Sequence, residues 1–151
     1  MNHARHVIRE AIVALLAAAG TQAHTRVFDT PTDPRTVFPA LTVETDAELQ
    51  DVQPSFHTVA TRPNRLVQRM LRLEISAEVQ HNTNYARTRD QLCAEVEAAL
   101  ASAAITGVTA ITPTGFRADF YKSGEHPIAV GRQTFDVHYS TRQGTPATTT
   151  T

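Results

Sequence analysis

The sequence predicts an α+β domain: a mainly antiparallel sheet with two helices packed on one face. Three observations carry that expectation. Residues 2–19 and 87–104 repeat their apolar side chains at helical spacing. Residues 66–80 alternate apolar and polar with period two, as a strand with one dry and one wet face does. The chain has 151 residues, 41% hydrophobic and 19% charged, enough for one core and too apolar for a disordered tail. Residues 1–141 are expected to form the single domain and 142–151 a flexible, low-complexity tail.

In the first helix the predicted stripe is Val7, Ile8, Ala11, Ile12, Leu15 and Leu16, with Arg5, Arg9 and Glu10 off it and Gly20 placed as a C-terminal cap. Residues 26–28 read as a short strand. Residues 29–35 hold two prolines and two aspartates, which prevent regular structure. A second strand starts over 38–44, with Pro39 tolerable near its beginning. Residues 53–65 read as an exposed loop. In the strand 66–80, Val67, Leu71, Leu73, Ile75, Ala77 and Val79 mark the dry face, and Arg69 and Met70 break the pattern. After the polar turn 81–84, Thr88 with Gln91 fits a capping box for the second helix, whose stripe is Leu92, Val96, Ala99, Leu100 and Ala103. Residues 116–120 and 134–139 alternate as strands, and 122–127 is the turn of an antiparallel hairpin with 128–130 returning.

Acidic and basic side chains nearly cancel, 15 against 14, for a net charge of −1. That argues against a chain whose main task is gripping nucleic-acid phosphates, though not against a surface that DNA merely passes. The longest mostly apolar run, 11–19, is too short for a membrane span. Arg5 and Arg9 before it give the outline of a signal-peptide core, but Glu10 beside it argues for an amphipathic helix. A single cysteine, Cys93, forms no internal disulfide and suits a reducing compartment. It reads as a small buried hydrophobe rather than a nucleophile. The six glycines form no phosphate-binding loop, and there is no nucleophile elbow. His3, His6 and Glu10 share one helix face, but no second cluster supplies further ligands. Neither cofactor nor metal is expected.

The charge pattern is more informative than any motif. Glu44, Asp46, Glu48 and Asp51 put four acids into eight residues, and Arg62, Arg65, Arg69 and Arg72 put four cations into eleven. Of the fourteen basic residues, thirteen are arginine, the side chain suited to desolvated, bidentate contact with carboxylates. Two arrangements are open. The blocks pair within one sheet as neighbouring strands, or they face outward and meet between identical subunits, a head-to-tail contact that closes into a ring. The candidate interface residues are Asp29, Asp33, Arg35, Glu44, Asp46, Glu48, Arg62, Arg65, Arg69 and Arg72.

Over about residues 3–140 the order and spacing of these pieces resemble the tail terminator (tail completion) proteins of long-tailed bacteriophages, the lambda-type minor tail protein U group. The likeness runs from the helix of residues 6–16 into Arg26-Val-Phe-Asp29, then through Phe38-Pro-Ala-Leu-Thr-Val43 and its acidic run. It continues with the strand 70–79, the second helix, and the pair made by 124–130 and 135–139. The resemblance implies a structural virion protein with no catalytic residues. It implies a homo-hexameric ring at the head-proximal end of the tail, assembled in the host cytoplasm. Such a ring binds the tail tube protein, stops polymerisation and offers a surface to the head-closure or neck protein, with DNA only as cargo through the lumen. The alternatives are a head-closure or neck ring, or a tail-tube relative, of the same particle. From other classes come a small enzyme and a peptide-binding adaptor that uses a sheet edge. On the ring reading, charge reversal at Arg65 and Arg69 is expected to weaken contacts.

Overall fold

The computed structural model describes residues 3–29, 37–53, 66–80, 84–121, 127–142 and 145–149. The elements in chain order are α1 (Ala4–Ala18), β1 (Val27–Phe28), β2 (Ala40–Gln53), β3 (Leu66–Gln80), α2 (Tyr85–Ala101), β4 (Val108–Tyr121), β5 (Ile128–Arg142) and β6 (Thr145–Thr149). They form one six-stranded sheet of order β1-β2-β3-β5-β4, with β6 paired to β5. Among the described residues only the β1 to β2 pairing is parallel; the other pairings are antiparallel. Both helices lie on one face, α1 over β1 and β2, and α2 over β3, β5 and β4. The expected α+β class is the observed one.

β3 and β5 are the centre of the sheet, and their alternation sets the core. Leu71, Leu73, Ile75, Ala77 and Val79 of β3 meet Phe135, Val137 and Tyr139 of β5 on the helix-covered face. α1 contributes Ala4, Ile8, Ile12 and Leu16, each spaced by four and each 2% exposed or less. The helix is therefore turned relative to the expected stripe: Val7 is 51% exposed, and the small Ala4 lets the first turn approach the sheet. α2 buries Leu92, Cys93, Val96 and Leu100. Its start also differs from expectation. Asn84, not Thr88, is the N-cap, and the Thr88 N–H donates to the Asn84 carbonyl as an ordinary first-turn bond. Gln133 of β5 fastens α2 to the sheet by donating from Nε2 to the Cys93 carbonyl at 3.1 Å.

Three strands exceed their sequence-based lengths. β2 runs on through the acidic stretch as far as Gln53, β4 begins eight residues before Phe116, and β5 is one strand across 128–142. Of the expected loop 53–65, residue 53 ends β2 and 54–65 lie outside the described residues, as do 81–83 and 122–126. The expected flexible tail carries β6. β4 first meets β5 at Tyr139, so Thr141 and Arg142 have a free edge, and Thr149 and Thr145 take it. Threonine is a good strand former, which makes that pairing cheap.

Gly107 makes the junction possible. Its φ is +83°, and a Cβ there would collide with the Thr149 side chain. Gly107→Ala should cost about 1–3 kcal/mol, from left-handed strain and displacement of β6. A urea midpoint equal to that of the unaltered chain would contradict this. Gly20, at φ +70°, ends α1 in the same backbone region but faces open space.

Candidate functional site

The charged residues divide between two places, a buried cluster on the helix side and an extended network on the other face. The division arises from one irregularity. In β2, Leu41 and Val43 point toward the helices, and a bulge between Thr45 and Ala47 then inserts one residue. Past the bulge the parity is reversed, so Glu48 lies opposite Leu71 and turns inward.

Glu48 is the hub of the buried cluster. Its Oε1 accepts from Arg69 Nη1 at 2.8 Å and from the Tyr139 hydroxyl at 3.0 Å, and its Oε2 accepts from Arg5 Nη1 at 3.1 Å. Arg69 Nε donates to Thr141 Oγ1 at 2.8 Å. The Glu48 and Arg69 side chains are only 6% and 9% exposed. Burial pushes the Glu48 carboxyl up, but the three donors outweigh it and hold the group below the usual carboxylate range. Burial and the neighbouring Glu48 charge push Tyr139 up. His3, beside this cluster, is held down by burial and by Arg5. Four elements (α1, β2, β3 and β5) are thus tied at one point.

The helix-free face carries the second network across β3, β5 and β4. Arg72 makes a bidentate contact with Asp136, Nε to Oδ1 at 2.9 Å and Nη2 to Oδ2 at 3.3 Å. Arg132 is shared among Glu74 Oε1 at 2.9 Å, Asp119 Oδ2 at 2.6 Å and the Tyr121 hydroxyl. Arg117 reaches the same Asp119 oxygen at 3.3 Å. Burial works against the Arg132 charge, but the Asp119 and Glu74 carboxylates raise its pKa on balance. The hydrogen bond from Arg132 holds Asp119 below its ordinary value. Thr42 Oγ1 donates to Glu78, and Ser140 Oγ to Gln68, so the polar face is fixed along its length.

Of the sequence-derived candidates, Asp33, Arg35, Arg62 and Arg65 lie outside the described residues. Asp29 is half-buried just after β1. Glu44 is half-buried opposite Glu74, and Asp46 is exposed on the bulge. Arg72 keeps its side chain 41% exposed beside Asp136. Glu48 and Arg69 are paired within the chain on neighbouring strands, so charge reversal of Arg69 acts on the fold rather than on an outward contact. Sequence reasoning missed Arg132, Asp136, Asp119 and Tyr121. Their signal was present: each stands on the polar parity of a strand, and only strand order was needed to bring them together.

Two of the concave regions among the described residues lie on the helix side. An open trough of about 690 Å³ runs between the end of α1 and α2, walled by Leu15, Ala18, Glu95, Ala99 and Ala103. A smaller one of about 370 Å³ lies between α2 and β4, lined by Tyr85, Arg89, Ala118, Asp119 and Phe120. Neither gathers a nucleophile, base and orienting group. Cys93 is buried, and desolvation pushes its thiol up to about 11, far from thiolate at neutral pH. His3 accepts from the Arg5 amide and His6 contacts Glu10 at 3.2 Å. Among the described residues no three metal-ligating side chains converge. No helix among them is long and apolar enough to cross a membrane.

No protein-family model matches the chain, and no curated protein does. Among solved structures it is similar to a chain of one described as "Virion of native gene transfer agent (GTA) particle". The identity is 16% and the TM-score 0.46, covering 85% of this chain and 86% of that chain. At that distance no function passes from one chain to the other.

Proposed function

We propose that the chain is a structural subunit of a phage-type particle, a tail terminator that forms a hexameric ring. The ring caps the tail tube, stops its polymerisation and offers the other side to a head-closure or neck protein, while DNA passes through the lumen. The observation that carries this reading is the helix-free sheet face. Its guanidiniums and carboxylates are hydrogen-bonded to one another over three strands, so the surface is rigid, charged and broad where an enzyme has a pocket. The element order of the lambda-type terminators supports it too. The half-buried acids Asp29 and Glu44, the exposed Asp46 and the half-exposed Arg72 are proposed as contacts to a neighbouring subunit or the tube, together with Asp33, Arg35, Arg62 and Arg65. The role is structural rather than catalytic.

The test is native mass by light scattering, followed by mixing with purified tail tubes of the same particle. Decoration of one tube end, with six copies per end and arrested growth, is the expected result. Growth of the chain into tubes would move the assignment to the tail-tube relative. A ring that ignores tube ends would move it to the neck, and no binding at all would end the virion reading.

A further inference from the structure

β4 is an edge strand, and its outer side is open along a regular stretch. β4 ends the sheet, and among the described residues no strand pairs with its outer side. Its first half is blunted by Pro113 and by register shifts at Val108/Ala110 and Pro113/Gly115. Its second half is not. Residues 116–121 pair with β5 in unbroken register, and Phe116, Phe120 and Tyr121 are 54%, 44% and 46% exposed. A regular strand edge flanked by exposed aromatics invites a further strand.

The sequence of that edge is complementary to itself. When residues 115–121 pair antiparallel with their own copy about a two-fold axis at Ala118, each residue meets the one whose number completes 236. Phe116 then faces Phe120 of the other copy, Arg117 faces Asp119, and Gly115 faces Tyr121. Each juxtaposition is favourable: aromatic on aromatic, opposite charges opposite one another, and an aromatic ring over a glycine. Arg117 is 67% exposed and Asp119 is 32% exposed in the single chain, so both can reach across. A two-fold axis normal to the sheet also keeps the helices of both copies on the same side.

We propose that two copies of this chain associate through the 115–121 edge of β4, joining their sheets into one. The contact is isologous and closes on itself, so it cannot propagate a ring. It therefore does not depend on the terminator assignment, and any ring uses other surfaces.

Sedimentation equilibrium on the full chain across concentration should show a reversible species of twice the 16.5 kDa chain mass. Ala118→Cys places a thiol on the axis, with its Cβ about 4.5–5.5 Å from its own copy. A short thiol–thiol cross-linker should then trap a covalent dimer, whereas Thr109→Cys, remote from the axis on the same strand, should not. Cys93 is buried and stays silent. Arg117→Asp sets acid against Asp119 twice per dimer and should raise the dissociation constant about tenfold or more, with unchanged circular dichroism. A chain that is monomeric at all concentrations, equal cross-linking at both cysteines, or an unweakened Arg117→Asp dimer would overturn the proposal.

Discussion

Replacing Glu48 with alanine is expected to cost about 3–5 kcal/mol. That is a large share of the roughly 5–15 kcal/mol that holds a domain of this size folded. The loss exceeds that of one salt bridge because three donors converge on one carboxylate. Removing it leaves the Arg69 guanidinium, 9% exposed, with Thr141 as its remaining acceptor, and the Tyr139 hydroxyl without one. Arg5, 46% exposed, turns to water at little cost. Urea unfolding should show a lower midpoint at unchanged slope, and a shift below about 1 kcal/mol would refute the buried-hub account.

The same carboxylate sets an acid limit. Its pKa in the folded chain is below that in the unfolded chain, since hydrogen bonds from Arg69, Arg5 and Tyr139 prevail over burial. The unfolded chain therefore binds the proton first as pH falls. The stabilisation is complete above the unfolded carboxylate value, about 4.3, and is lost as pH falls through the folded value. Glu48→Gln keeps an acceptor oxygen and cannot titrate, so it should lose less stability than the unaltered chain between neutral pH and that acid window.

How far such a cluster is visible in sequence depends on one residue. The alternation of β3 is plain, and its odd positions from Leu71 to Val79 are the core that alternation predicts. Arg69 occupies an odd position too, and as an exception to the pattern it points to a buried partner. Which partner is illegible, because the bulge at Thr45/Ala47 decides whether Glu48 or its neighbours turn inward. The acidic run looks like an outward block for the same reason. Composition hides two other features. The first half of β4 carries three threonines and Pro113, tolerated because that strand is an edge. β6 looks like low-complexity tail because its fit is set by the end of β4, not by its own pattern. Apart from β6 and the first half of β4, the elements were legible from local patterning, whereas the bulge and the strand order, which assemble the charged networks, are non-local.

Ile12→Ala should destabilise the chain by about 2–5 kcal/mol, while Val7→Ser should stay within about 0.5. The two residues lie in the same helix, five positions apart, and both belong to the stripe that sequence periodicity suggests. Their burial separates them: Ile12 is fully buried and Val7 is 51% exposed. Ile12 stands mid-helix between Ile8 and Leu16, both also buried, so a cavity there has no loose end to collapse into. The N-terminal turn is held separately by Arg5 on Glu48 and by Arg9 Nη1 on Thr45 Oγ1 at 3.2 Å. These bonds are compatible with the rotation of α1 that buries Ala4, Ile8, Ile12 and Leu16. Comparable urea midpoints for the two variants would mean that α1 packs with the face read from periodicity rather than the Ala4, Ile8, Ile12 and Leu16 face.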